Sequence, residues 1–149
     1  NKYVKHKKER VEVIKINGHK VGFHIPRIIA IEKKVFNGSE EFEQALRSIS
    51  DKIEHIFFIP EKYRVYYDFI KNNNEKSLPN AYWEYLSILA NKLNLKITNL
   101  TEPLRLESKR LLLEKNLFTW WKDDTHWNKN GIAVAAEIVA KIIRQNTFK

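Results

Sequence analysis

Ile56-Phe57-Phe58-Ile59, closed by Pro60, is a continuous apolar run with no polar alternation. Such a run reads as a strand buried on both faces, the kind that parallel α/β sheets supply because helices cover both their sides. Leu95 to Leu100 is the next strand candidate. The segments around the two carry helical spacing. Tyr82, Tyr85, Leu86, Leu89 and Leu93 mark a helix over 81–93, after loop signals at Asn72-Asn73-Asn74 and Ser77-Leu78-Pro79-Asn80. Thr101-Glu102-Pro103 places proline inside the first turn of a helix reaching about 115. A last helix opens near Asn128 to Asn130, with Ile132, Ala135, Ala136, Val139, Ile142 and Ile143 on one side. Strands alternating with helices predict an α/β sheet with helices packed on it.

Upstream of Ile56, Val11 to Ile16 and His19 to Ile25 each alternate apolar and polar residues around Asn17-Gly18. Asn-Gly between alternating runs is a strong hairpin signal, because a type I′ turn needs positive φ at both central positions. Pro26 ends the hairpin, and Ile28 to Ile31 reads as a further short strand. Asn37-Gly38-Ser39-Glu40 offers cap chemistry ahead of Phe42, Leu46, Ile49 and Ile53, which predicts a helix over 39–53. A turn or short helix is expected from Glu61 to Ile70. The chain divides into a basic arm with the hairpin over 1–36 and an α/β domain over 37–149.

The 149 residues suffice for one core, and four Trp, six Tyr and eight Phe argue against disorder. No apolar run approaches the roughly 18–20 residues of a membrane-spanning helix. With no cysteine there is no disulfide framework, thiolate metal site or cysteine nucleophile, leaving Ser, His and carboxylates for chemistry. The net charge of +9 concentrates only at Lys2, Lys5, Lys7, Lys8 and Arg10, while elsewhere Lys alternates with Glu. That distribution describes a solvated surface rather than a polyanion site, so no nucleic-acid partner is expected. Methionine is absent and the chain starts Asn1-Lys2-Tyr3, which is expected of a piece of a longer polypeptide.

The chemistry-bearing segment is Trp120-Trp121-Lys122-Asp123-Asp124-Thr125-His126-Trp127-Asn128-Lys129-Asn130-Gly131. Two of the chain's four aspartates and three of its four tryptophans gather within six residues of His126. A carboxylate two or three positions before a loop histidine can accept the Nδ1 proton, fix the tautomer and leave Nε2 free as a base. The indoles are expected to shield the pair from water. The plainer alternative has Asp124 capping a turn, Asp123 solvated and His126 packed on Trp127.

Asp124-Thr125-His126-Trp127-Asn128 with Gly131 and an alanine-rich helix, preceded by the Ile56 strand with Pro60-Glu61-Lys62 and by Leu95 to Leu100, resembles the C-terminal half of an SGNH (GDSL-type) hydrolase domain. The likeness runs over residues 39–145, and is to the branch writing its last block as Asp-x-His-Trp, which includes O-acetyltransferases and acetylesterases of bacterial polysaccharides such as alginate. That resemblance implies a three-layer α/β/α, flavodoxin-like sandwich, here partial, and a reaction through an acyl-serine without cofactor or metal. His126 is then the general base and acid, Asp124 its orienting carboxylate and Asp123 the competitor for that role. Lys62 and Tyr66 would border the site, with Trp127 and Trp121 contacting an acylated carbohydrate. The resemblance also points to an extracytoplasmic setting, with membrane association through segments outside this chain.

The family's Gly-Asp-Ser turn and Gly-x-Asn-Asp block are missing; Ser39 in Asn37-Gly38-Ser39 is the nearest imitation and reads better as a helix start. The nucleophile is therefore expected on a Ser-bearing segment of the same polypeptide outside this chain. Two readings follow: the His/Asp half of a serine esterase or O-acyltransferase, or a module that lost the nucleophile and holds a glycan on its aromatic cleft. A third takes Asp124 and His126 as metal ligands, but metallophosphoesterases carry their Asp-x-His after the first strand with further ligand blocks following, and no histidine follows His126 here.

Overall fold

The structure is a computed structural model that describes residues 10–70 and 78–147. The basic run from Lys2 to Glu9 and the loop residues Asn72 to Ser77 lie outside the described residues. Strands β1 (Val11–Ile16) and β2 (His19–His24) form an antiparallel hairpin in register from Val11↔His24 to Ile16↔His19. Asn17 and Gly18 close it with φ of 46° and 82°, as a type I′ turn requires. The alternation then sorts its faces: Ile16, Val21 and Phe23 are buried while Val11 and Val13 are exposed.

Helix α1 (Ile25–Ile31) occupies the segment where a third short strand is expected. Pro26 sits in its first turn, where a missing N–H costs nothing and the fixed φ suits a helix. Ile28 and Ile31, three apart, then pack toward the core while Ile29 faces solvent. An apolar run of four satisfies either geometry, and proline at its head decided for the helix.

Helix α2 (Glu40–Ser48) is capped by Ser39, whose Oγ accepts the Phe42 amide at 3.4 Å; the stretch predicted to continue to 53 turns instead into a 3-10 turn at Ser50–Lys52. Strand β3 (Ile56–Phe58) pairs in parallel with β4 (Ile97–Asn99), Ile56 opposite Ile97 and Phe58 opposite Asn99. Between them lie α3 (Lys62–Val65), α4 (Tyr67–Ile70) and α5 (Ala81–Lys92); α6 (Thr101–Lys115) and α7 (Lys129–Thr147) follow.

Successive residues of β3 point to opposite faces. Ile56 joins Leu46, Leu89, Ala90 and Leu95 on the α2/α5 side, and Phe57 packs on the larger cluster that α6 and α7 help build. Helices on both sides of a parallel sheet make the α/β/α layering that the resemblance implies. β3 is half-buried rather than wholly buried, because β4 is its one partner among the described residues.

The larger cluster joins the hairpin to the rest. Ile16, Val21, Phe23 and Ile28 share it with Tyr66, Leu104, Leu112, Trp120 and Val134. Phe23 meets Tyr63 edge to face at 5.6 Å, adding to its area burial. Phe23→Ala is expected to lower stability by about 3–5 kcal/mol in urea denaturation. One cooperative transition is predicted; a separate early transition for the hairpin would contradict a shared core.

Candidate functional site

The loop is built from a short backbone zipper. The Trp121 amide donates to the His126 carbonyl at 3.1 Å and the Asn128 amide to the Thr119 carbonyl at 3.1 Å, so Trp120 and Trp127 face each other as a bridge. Lys122 to Thr125 forms the tip. Below it Asn128 does two jobs. Its Nδ2 donates to the Phe118 and Trp120 carbonyls at 2.8 and 3.3 Å, and its Oδ1 accepts the amides of Asn130 and Gly131, which lack partners inside α7. A Cβ on Gly131 would stand 2.1 Å from the Thr119 carbonyl oxygen, so only glycine lets the helix start this close to the zipper.

At the tip, Asp124 Oδ1 lies 2.7 Å from His126 Nδ1 and also accepts the amides of Thr125 and His126. The bond to the imidazole, then that from the His126 amide, holds the Asp124 carboxyl down from its ordinary 3.8 to about 2. Asp123 is exposed on the same tip, and the geometry brings Asp124 rather than Asp123 onto Nδ1. Beside these two, no third His, Asp or Glu converges to make a ligand cluster among the described residues.

The expected indole shield does not form in this chain. The His126 side chain is 76% exposed. Trp120 and Trp121 are consecutive in an extended segment, so they point opposite ways: Trp120 is buried in the core and Trp121 is 54% exposed. Trp127 is half-buried, its ring 6.3 Å from that of Trp120. The fourth indole, Trp83, packs on Phe58 away from the tip.

Lys62 and Tyr66 adjoin the loop from beneath and not from its open side. They lie four residues apart across the α3 turn and its C-cap, hence on one face. Tyr66 is wholly buried; its hydroxyl accepts the Thr119 amide at 2.9 Å and meets Thr119 Oγ1, which in turn meets Ser108 Oγ at 2.6 Å. Burial pushes the Tyr66 phenol up, keeping it protonated. The Lys62 ammonium reaches the loop's carbonyls, with the residue only 4% exposed. Ser39 is the cap of α2. The buried Thr119–Ser108 pair went unread in the sequence, where neither residue carries a motif; the Asn128 cap was signalled by the asparagines ahead of α7.

No protein-family model and no curated protein matches the sequence. Among solved structures, the chain is similar to the O-acetyltransferase domain of Pseudomonas putida AlgJ, with a TM-score of 0.53 and 20% identity over 76% of this chain. The match takes in 44% of that domain's chain, so this protein spans less than half of it. At this identity the likeness is one of fold: an AlgJ-like α/β arrangement.

Two outcomes follow from the loop's construction. Gly131→Ala is expected to cost about 1–3 kcal/mol, read as a lowered melting temperature, because backbone and not a flexible side chain must give way. Asp124, with its pKa lowered on folding, contributes stability that is complete above pH 3.8 and is lost as pH falls toward 2. Acid titration of the Asp124 carboxyl carbon by NMR checks this; a midpoint at or above 3.8 would contradict the bonding described.

Proposed function

We propose that the chain carries the His126/Asp124 half of an SGNH-type serine esterase or O-acyltransferase acting on O-acylated carbohydrate, with the nucleophilic serine on another segment of the same polypeptide. The contact of 2.7 Å between Asp124 Oδ1 and His126 Nδ1 carries this reading. With Nδ1–H donated to Asp124, the lone pair sits on Nε2 of a ring open to solvent, where a serine can approach. The similarity in fold to an acetyltransferase domain supports the same reading.

In this scheme Nε2 takes the serine proton as the oxygen attacks the acyl carbonyl, and returns it to the departing alkoxide as the acyl-serine forms. It then takes a proton from water or from a sugar hydroxyl, whose oxygen attacks the acyl-serine and releases the serine as its alkoxide is reprotonated. Asp124 stays ionised and stabilises the transient imidazolium. Trp121 offers an exposed ring face for a sugar, and half-buried Trp127, packed on Trp120, lies next to His126 in the chain. Lys62 and Tyr66 act from beneath the loop, without substrate contact. The hairpin of the 1–36 segment serves the domain over 37–149 as a buttress. An extracytoplasmic setting, with any membrane association coming from segments outside this chain, accords with a polysaccharide substrate.

The test is hydrolysis of a small aryl acetate by the polypeptide that contains this chain. His126→Ala is expected to lower the rate at least roughly 10²- to 10⁴-fold with the fold retained. Asp124→Asn should lose far more than Asp123→Asn. Wild-type rates in His126→Ala would remove the catalytic reading and favour a glycan-holding module.

A further inference from the structure

Lys62 lies 60 residues before the loop, on a different element, yet its ammonium is within hydrogen-bond distance of three of that loop's carbonyls. Nζ donates to the carbonyls of Asp124 at 2.7 Å, Trp121 at 3.0 Å and Lys122 at 3.4 Å. Burying an ammonium is costly unless its donors are met, and here they are met by backbone oxygens that belong to the turn itself. No carboxylate stands within ion-pair distance of it among the described residues. The hairpin completes the arrangement. The Gly22 amide donates to the Lys122 carbonyl at 2.7 Å, the oxygen that Lys62 also reaches, and the Phe23 ring lies 5.0 Å from Nζ.

We propose that Lys62 and the β2 strand form a clamp that sets the turn at Lys122 to Asp124, making Lys62 the positioning residue of the His126/Asp124 pair and the hairpin part of the site. Three converging carbonyls fix where the Asp124 backbone sits, and Asp124 reaches Nδ1 two residues on through a short side chain. Displacing that backbone by about an ångström breaks the alignment. The clamp works only while Lys62 is protonated, since neutral Nζ offers two donors and a lone pair that faces a carbonyl. Burial, partly offset by Asp124 and Asp123, lowers its pKa from 10.5 to about 8. The other charged or titratable groups around it are His24 on β2, Arg27 on α1, Glu61 at the head of α3, Tyr63 beside it on α3, and Lys122 in the tip. Arg27 and Glu61 pair with each other at 2.7 Å.

The sign of the linkage separates positioning from stability. A lysine whose pKa is lowered on folding makes the native state more stable as pH rises from about 8 to 10.5, the range in which only the unfolded chain stays protonated. The loop, however, loses its clamp over that same range. Alkaline loss of loop order without loss of fold is therefore the signature.

This proposal rests on the acyl-transfer reading for its catalytic consequence, and its structural half is tested apart from activity. Exchange of the Gly22 amide by NMR on the full chain reports the clamp directly. Gly22 is expected to be protected below pH 8 and, once the intrinsic base-catalysed rate is divided out, to lose roughly tenfold in protection as Lys62 deprotonates. Lys62→Met, which keeps the stem, should lose that protection at all pH values. Lys62→Arg, which does not titrate in this range, should abolish the alkaline step. In the polypeptide that carries the serine, Lys62→Met should lower kcat about 10²-fold with KM little changed, and Lys62→Arg should restore part of it. If Lys62→Met does not fold, the wild-type and Lys62→Arg pH profiles decide alone. A protected Gly22 amide through pH 10, or the same alkaline step in Lys62→Arg, would overturn the clamp. Should His126→Ala stay active while the Gly22 result holds, the catalytic reading fails and the clamp stands.

Discussion

Thr119 is the residue through which the core and the loop are joined, and every polar atom it has is engaged. Its amide donates to Tyr66, its hydroxyl lies between Tyr66 and Ser108, and its carbonyl accepts the Asn128 amide while lying against Gly131. A wholly buried threonine left unpaired would cost about 1–3 kcal/mol per orphaned group, so these partners constrain one another. The zipper from Thr119 to Trp121 against His126 to Asn128 follows from that anchorage. So does the position of α7, whose first turn can approach because residue 131 has no side chain. The site is a loop whose two ends are fixed in the core and whose tip is left open to solvent.

The His126 side chain is 76% exposed, and Asp124 Oδ1 stands 2.7 Å from its Nδ1. Among the described residues the parallel sheet has two strands, β3 and β4, with helices on both faces. On the function proposed above, the segment that brings a serine to Nε2 would also have room for strands beside β3 and β4. At the surface of α6, Arg105 pairs with Glu102 and Arg110 with Glu107 and Glu114.

Local chemistry was legible in the sequence and long-range burial was not. Asn17-Gly18 announced the hairpin because positive φ admits few residues, and Pro103 placed the start of α6 because proline is tolerated only in a first turn. Asp124 and His126 were legible as a pair because two residues of separation already limit their reach. Ile28 to Ile31 went to a helix since four apolar residues carry no period. Trp120 and Trp121 read together as a shield from composition alone, though consecutive residues in an extended segment cannot share a face. Lys62 is the hardest case: a lysine reads as surface, and its burial depends on three carbonyls that only the fold brings over it.

The central claim is that Asp124 holds His126 in the tautomer that presents a basic Nε2. Nitrogen-15 chemical shifts of the His126 ring in its neutral form test it most directly, because protonated and bare imidazole nitrogens resonate far apart. The account predicts a protonated Nδ1 and a bare Nε2, with the preference lost in Asp124→Asn. A ring protonated on Nε2 in the wild-type protein, or one unchanged by Asp124→Asn, would contradict it.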